Sequence, residues 1–338
     1  MPTNVTPEYR KAEQAFRQAR DPKERLACLK EMLRTIPKHK GSEHLQADIK
    51  SRIKELTEEL AGPKKAGSRV GTLYVVRPEG AGQVALIGPP NSGKSWLHQR
   101  LTGSHAEVGP YPYTTKLPMP GMLPYEDIHF QLVDLPPTSA DYMEPWLAQA
   151  LERAGAAFLV VDVSDPECPD HILAIRSQLR EKKILLMEGW PTLAASGAAI
   201  AGWIGGKVED DIADPFRIEL PTLLIANKCD LDPDPEEVQV LEELLGVHYP
   251  AVTTSAKTGQ GLGQLGELLF RGLEIVRVYT KAPGRPPDME RPFTLRRGAT
   301  VLDVAERVHK DFAKTLKFAR LWGSSQFEGQ HVGPDHKV

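Results

Sequence analysis

The sequence predicts an α/β protein in which a mainly parallel sheet carries helices on both faces, with a helical hairpin before it and a small mixed unit after it. Three observations lead there. Five short apolar runs recur between residues 83 and 256, separated by polar loops and helical patterns. The first run leads straight into a glycine-rich turn that opens a helix. Residues 8–60 place apolar side chains at helical spacing and charge elsewhere.

In chain order, Phe16, Leu26, Leu29, Met32 and Leu33 mark a first helix, and Leu45, Ile49, Ile53, Leu56 and Leu60 a second. Pro37-Lys38-His39-Lys40-Gly41 breaks the pattern, and Ser42-Glu43 is a helix start. This is a hairpin over residues 1–65, followed by a Gly/Pro/Lys-rich linker over 66–82. The strand-like runs are QVALIG (83–88), IHFQLVDL (128–135), AAFLVVDV (156–163), TLLIANK (222–228) and AVTTSA (251–256). Helices are expected near Lys94, Tyr142, Glu167, Pro235 and Gly261. Residues 83–280 form this α/β domain, with an insertion at 188–216. A last unit, 291–338, starts with the strand-like PFTL, continues with a charged helix around Val301–Phe312, and lacks an evident last strand.

The 338 residues are 41% hydrophobic and 26% charged, which excludes a disordered chain and supplies a sizeable core. Cys28, Cys168 and Cys229 are too few and too scattered for a disulfide framework or a zinc site, and fit a reducing compartment. The start, MPTNVTPEYRKAEQ, has no signal-peptide core. The longest weakly apolar run, Thr192 to Gly206, is shorter than the roughly 20 residues of a spanning helix. A cytoplasmic protein without a membrane span is therefore expected.

The formal net charge of −3 conceals an uneven distribution. Residues 1–65 carry 15 Lys/Arg against 10 Asp/Glu, residues 271–338 carry 13 against 8, and the middle carries 14 against 27. Basic ends can meet a polyanion such as RNA, or can simply be solvated helix surfaces. Arg296, Arg297, Lys310, Lys314 and Lys317 stand open to both readings.

The chemistry concentrates at strand ends. Gly88-Pro89-Pro90-Asn91-Ser92-Gly93-Lys94-Ser95, running on to Trp96, is G-x-x-x-x-G-K-S between a buried strand and a helix. Its backbone N–H groups and helix N-terminus suit phosphates, Lys94 can neutralise them, and Ser95 can ligate Mg²⁺. Asn227-Lys228-Cys229-Asp230 follows TLLIA, and Ser255-Ala256-Lys257 follows AVTT. The Asp230 carboxylate can accept both N–H bonds of a guanine edge, a pattern adenine does not offer. Asn227 can reach the other base edge, the Lys228 stem can cover the ring, and the Ala256 N–H can hold the guanine oxygen. Together these motifs imply a guanine nucleotide at the carboxyl edge of the sheet. Asp134, closing IHFQLVDL, can hold Mg²⁺ directly or through water, and a threonine of Tyr111-Pro112-Tyr113-Thr114-Thr115, by preference Thr115, can complete the coordination. His98, His105, His129 and His171 show no metal-ligand spacing and read as surface or structural.

The phosphate loop, YPYTT, DLP, NKCD and SAK together resemble the Obg/DRG branch of translation-factor-related GTPases, and more specifically the developmentally regulated GTP-binding (DRG) proteins. IPKHKGSEHLQADIKSRIKELTEEL resembles that family's helical hairpin, and RPFTLRRGATVLDVAERVHKDFAKTLKFARLWGSS resembles a TGS domain, a small β-grasp unit. The resemblance spans roughly residues 20–338. It implies a P-loop GTPase domain between a helical hairpin and a TGS domain, binding of GTP and GDP, hydrolysis of GTP, and contact with the ribosome, rRNA, tRNA or a translation partner protein. Relatives with P-N-x-G-K-S use the Asn, here Asn91, to hold K⁺ beside the phosphates, which places Asn91 with Lys94 and Thr115 as catalytic candidates. Stabilising the loop through its amide is the other reading of Asn91.

The chain departs from the family in three places. D-x-x-G becomes Asp134-Leu135-Pro136-Pro137, and Pro137 has no N–H with which to sense a γ-phosphate. The Gly-rich second switch is absent, and Thr138 stands where relatives carry a hydrophobic residue. The insertion at 188–216 is atypical. Two functions follow: a slow GTPase switch at the translation machinery, or a non-hydrolysing GTP/GDP-binding regulatory scaffold.

Overall fold

The structure is a computed structural model that describes residues 6–19, 22–37, 42–60, 76–104, 117–139, 142–190, 216–231, 249–282, 284–323 and 328–338. The chain divides into two compact units. The YPYTT loop with Thr114 and Thr115, the body of the insertion, the helix expected near Pro235 and most of the linker lie outside the described residues.

The first unit is helical: α1 (Pro7–Gln18), α2 (Pro22–Thr35) and α3 (Glu43–Leu60). Two helices were expected here and three are found. Proline disfavours the helical conformation in the residue before it, so Pro22 starts a new helix at its first position instead of continuing α1. Thr6 caps α1 by accepting from the Tyr9 N–H at 3.2 Å, and its hydroxyl donates to Thr35 O at 3.1 Å, which ties the start of α1 to the end of α2. Tyr9, Phe16, Leu29, Met32, Ile36 and Ile49 form the core. Phe216, from the far end of the insertion, completes it. Its ring meets Phe16 edge-on at 5.9 Å and lies under the Arg52 guanidinium at 4.7 Å.

The second unit is built on a seven-stranded sheet. Its strands are β1 (Gln83–Ile87), β2 (Met119–Tyr125), β3 (Ile128–Asp134), β4 (Ala156–Asp162), β5 (Ile184–Met187), β6 (Ile218–Asn227) and β7 (Ala251–Thr253). The order is β2-β3-β1-β4-β6-β5, with β7 also on β6. Only β2, paired with β3, is antiparallel. The ten-residue β6 lies along β4 with its second half, while its other edge is shared by β5 on the first half and β7 on the second.

Strand alternation sends side chains to two cores. Ala85, Ile87, Leu159 and Val161 pack under α5 (Leu147–Leu151) and α6 (Cys168–Glu181). Val84, Leu86, Phe158 and Val160 pack under α4 (Lys94–Thr102) and α7 (Leu265–Gly272). Trp190, at the near end of the insertion, joins the second core and donates from Nε1 to Leu268 O at 3.0 Å. A Cβ on Gly272 would overlap its indole, so glycine is required where the ring crosses α7.

Beyond α7 the chain forms β8 (Ile275–Val278), β9 (Phe293–Arg296), α8 (Val301–Val308), α9 (Lys310–Thr315), β10 (Ala319–Leu321) and β11 (Gln330–Val332). β8, on the α/β side of the expected boundary, pairs antiparallel with β9. Arg277 of β8 reaches Asp127 at 3.0 Å and Glu126 at 2.6 Å, and Tyr279 donates to Asp127 at 2.6 Å, which binds this strand to the β2–β3 turn. The Val338 N–H donates to Ala299 O and the Val301 N–H to His336 O, both at 2.9 Å, and Lys337 bridges Thr300. The turn at Gly333–His336 returns the backbone to meet them.

Candidate functional site

β1 ends in the phosphate loop because its last buried residue, Ile87, is followed by residues that cannot continue a paired strand: Gly88, then two prolines. Asn91 at φ 61° and Gly93 at φ 88° turn the backbone, and α4 begins at Lys94. Gly93 has a second constraint, since a Cβ there would strike the Asn227 carboxamide. The Asn91 side chain is exposed and makes no hydrogen bond among the described residues, so the alternative role as an amide clamp on the loop is not seen.

The Lys94 ammonium is buried and donates to Gly88 O at 3.0 Å and Pro89 O at 2.8 Å. Burial pulls its pKa down to about 8, opposed by the charge of Asp134. The cation is thus held inside the loop by neutral carbonyls, a weak substitute for phosphate oxygens. Next to it, Ser95 Oγ donates to Asp134 Oδ2 at 2.6 Å. A hydroxyl and a carboxylate at contact distance form a hard-oxygen pair suited to Mg²⁺, either directly or through water. Behind them His98 is buried, with Nε2 3.2 Å from Leu132 O and Nδ1 3.1 Å from Ser104 Oγ; burial lowers its pKa. Trp96 is exposed.

The segment after Asp134 is held to the sheet. Leu135 N–H donates to Leu86 O at 3.3 Å, and Thr138 N–H donates to Gly88 O at 3.1 Å. Gln178 on α6 donates to Ser139 O at 2.6 Å. Pro136, Pro137 and Thr138 are buried. Gly88 O therefore accepts from both Lys94 and Thr138, so the phosphate loop and the segment after Asp134 share an acceptor.

At the base end, Asn227 does not stand ready for a base edge. Its Nδ2 donates to Ser92 O at 2.9 Å, and its Oδ1 accepts from Ala256 N–H at 3.1 Å and Thr254 Oγ1 at 3.4 Å. It is a buried tie between the phosphate loop and the loop after β7, and the Ala256 N–H is engaged by it. Asp230 accepts from Ser255 Oγ at 2.6 Å and lies 3.4 Å from Lys257 Nζ. The Ser255 hydrogen bond, with help from Lys257, holds its carboxyl below the usual carboxylate range. Lys228, at φ 68°, pairs with Asp162 at 2.5 Å.

The structure thus gathers the Gly88–Ser95 loop, Asp134, Asn227, Asp230 and Ser255–Lys257 at the carboxyl ends of β1, β3, β6 and β7, while Thr115 lies outside the described residues. Sequence reasoning missed Asp162, Thr254 and the Thr138 backbone. Asp162 was detectable as the polar end of AAFLVVDV, but its pairing with Lys228 depends on the adjacency of β4 and β6.

A mainly parallel sheet with a phosphate loop after β1, a Ser–Asp pair between the first turn of α4 and the end of β3, and an Asn-Lys-x-Asp turn after β6 defines the class of P-loop GTPases. Residues 83–188 match the family described as 50S ribosome-binding GTPase, and residues 276–338 match the TGS domain. An uncharacterized GTP-binding protein of Methanocaldococcus jannaschii is 27% identical over 93% of this chain and 90% of its own length. Developmentally-regulated G-protein 3 of Arabidopsis thaliana is 29% identical over 91% of this chain and 93% of its own length. Among solved structures, Aquifex aeolicus Era bound to GDP and aluminium fluoride aligns at TM-score 0.40 and 19% identity, over 62% of this chain and 61% of that one. The chain thus carries a GTPase domain and a C-terminal TGS domain, and along 87–91% of its length it is similar to proteins named developmentally-regulated G-proteins.

Proposed function

We propose that the protein is a slow GTPase switch in the cytoplasm that contacts the ribosome or another part of the translation machinery. The observation that carries the reading is the Asn227 tie: one buried side chain joins the phosphate loop to the loop expected to read guanine, so both ends of a nucleotide would meet a single rigid frame. Lys94 would exchange its two loop carbonyls for β- and γ-phosphate oxygens, and Ser95 and Asp134, with Thr115, would hold Mg²⁺. Bound Mg²⁺ would offset phosphate charge. Asp230 would accept the guanine N1 and N2 protons once Ser255 and Lys257 yield.

Hydrolysis would proceed by water attacking the γ-phosphorus as the bond to the β-phosphate oxygen breaks, giving GDP and inorganic phosphate. Lys94 would offset the developing charge. Asn91, exposed beside the loop, would hold K⁺ as a second positive centre. The decisive experiment is single-turnover GTP cleavage in KCl and in NaCl, with and without ribosomes. Cleavage that K⁺ and ribosomes accelerate supports the switch, and equal rates in both salts remove the K⁺ role.

The second reading, a non-hydrolysing scaffold, is favoured by one observation. Buried Pro137 has no N–H for a γ-phosphate, and the next N–H, of Thr138, is bonded to Gly88 O. No cleavage under any of those conditions, with GTP and GDP bound equally, decides for the scaffold. Nucleotide competition checks the base: displacement of labelled GTP by ATP would refute guanine selection.

A further inference from the structure

The exposed face of β10 and β11 has a composition that neither a hydrophobic core nor an ordinary solvated strand requires. Alternation puts Phe318, Arg320 and Trp322 on one side of the chain, while Leu321 on the other side is partly buried and Val332 of β11 is buried. His331 is the register partner of Arg320 and so shares its face. Phe318 stacks on His331 with ring centroids 4.9 Å apart and planes at 22°, yet Phe318 remains 58% exposed. Arg320 Nε donates to His331 Nε2 at 2.9 Å. Lys281 sits 4.8 Å over the Trp322 ring, which is 46% exposed. None of these five side chains forms an ion pair with a carboxylate among the described residues.

We propose that this face binds single-stranded RNA by stacking a base on Phe318 and holding the adjacent phosphates with Arg320 and Lys281. The Phe318–His331 pair is a preassembled two-ring stack with one outer side free for a third ring, and a nucleobase is a flat ring of suitable size. The hydrogen bond from Nε holds the guanidinium beside that stack, while its terminal N–H groups make no bond among the described residues. Two cations without carboxylate partners complement a phosphate backbone. A protein partner would be served by the rings but would leave those cations without counter-charges unless it were acidic. Double-stranded RNA keeps its bases stacked inside and offers Phe318 no ring. The proposal deepens the ribosome reading by naming the contact, and it is independent of nucleotide turnover.

The test uses the full chain and a fluorescently labelled, unstructured 12-nucleotide RNA, with the same strand annealed to its complement as the second probe. Anisotropy is followed against protein at two or more salt concentrations, and GTP binding is measured in the same preparations. The single strand should bind more tightly than the duplex and lose affinity with salt. Phe318→Ala should weaken it about 5- to 100-fold, while Phe318→Tyr, which keeps the ring, should bind like the parent. Arg320→Ala should weaken binding and flatten its salt dependence. All three variants should bind GTP as the parent does. Absence of binding, equal binding of the duplex, or an unchanged affinity in Phe318→Ala overturns the proposal. So does ribosome association that survives nuclease and is lost in Phe318→Ala, since that assigns the face to a protein. Failure of GTP binding in the parent would sink the switch reading and leave this one standing.

Discussion

The side-chain amide of Asn227 donates to the backbone carbonyl of Ser92 at 2.9 Å, across 135 residues of sequence. Its oxygen meanwhile accepts the Ala256 N–H. Asn227→Ala would leave a buried carbonyl and a buried N–H without their partner, at about 1–3 kcal/mol for each orphaned group. The expected result is a lower denaturation midpoint and GDP and GTP affinities reduced together by about tenfold or more, since the frame and not the γ-phosphate is altered. Urea unfolding and fluorescent-nucleotide titration read the two effects. Unchanged stability would remove Asn227 as the tie.

Nucleotide affinity should depend on pH through Lys94. Its pKa in the folded protein is about 8, because burial disfavours the charged form. The phosphates bind the ammonium and not the neutral amine, so affinity is full below about pH 8. Above that it falls by up to about tenfold per unit, as one proton must be taken up on binding. For the nucleotide-free protein the sign is opposite: between about 8 and the ordinary lysine value the unfolded chain binds the extra proton, so this group makes stability rise with pH. Titration calorimetry in two buffers of different ionisation enthalpy measures the proton. A flat profile from pH 7 to 9.5 would refute the assignment.

Base choice should pass through Asp230. Asp230→Asn replaces an acceptor pair by one acceptor and one donor, which suits xanthine, whose C2 carries a carbonyl where guanine carries an amino group. GTP affinity should fall by about 100-fold or more, and XTP should bind the variant better than it binds the parent. Parallel titrations with both nucleotides test it, and retention of tight GTP binding would move base recognition elsewhere.

Response to the γ-phosphate should be restored by Pro137→Gly. The variant gains a backbone N–H next to one that Gly88 O already holds. The ratio of GTP to GDP affinity is expected to rise by about tenfold to 100-fold, the worth of one hydrogen bond to a charged group. An identical ratio in parent and variant would show that the pinned segment was not what insulated the site.

Gly272→Ala should destabilise the second unit. The added methyl would occupy the position of the Trp190 indole, forcing the ring from the bond to Leu268 O. Overpacking of this kind costs about 1–3 kcal/mol. A lower thermal midpoint should come with a red-shifted tryptophan emission as the indole meets water. A midpoint equal to the parent's would count against that packing.

β1, β3, β4, β6 and β7 were legible because strands covered on both faces read as continuous apolar runs. β2 was not, because MPGMLPY contains two prolines and a glycine, which only an antiparallel edge position tolerates. β5 is four residues long and continues directly from the turn after α6, so it reads as the end of that helix. The break before Pro22 was readable in principle, but the apolar spacing carried the pattern across it.

The sequence by itself determined which residue types stand at the strand ends: Gly88 to Ser95, Asp134, Asn227 to Asp230, and Ser255 to Lys257. Their order along the chain was enough to identify phosphate and guanine chemistry, because each motif is local. Only the tertiary structure decided what those side chains do in the folded protein. Asn227 turned from a base-edge candidate into the tie between two loops, the Thr138 N–H was committed to Gly88 O, and Phe216 left the insertion for the helical core. The reason is one of range. A motif records chemistry within a few residues, whereas a hydrogen-bond partner is chosen by strand order and by burial, under which few polar groups go without a mate.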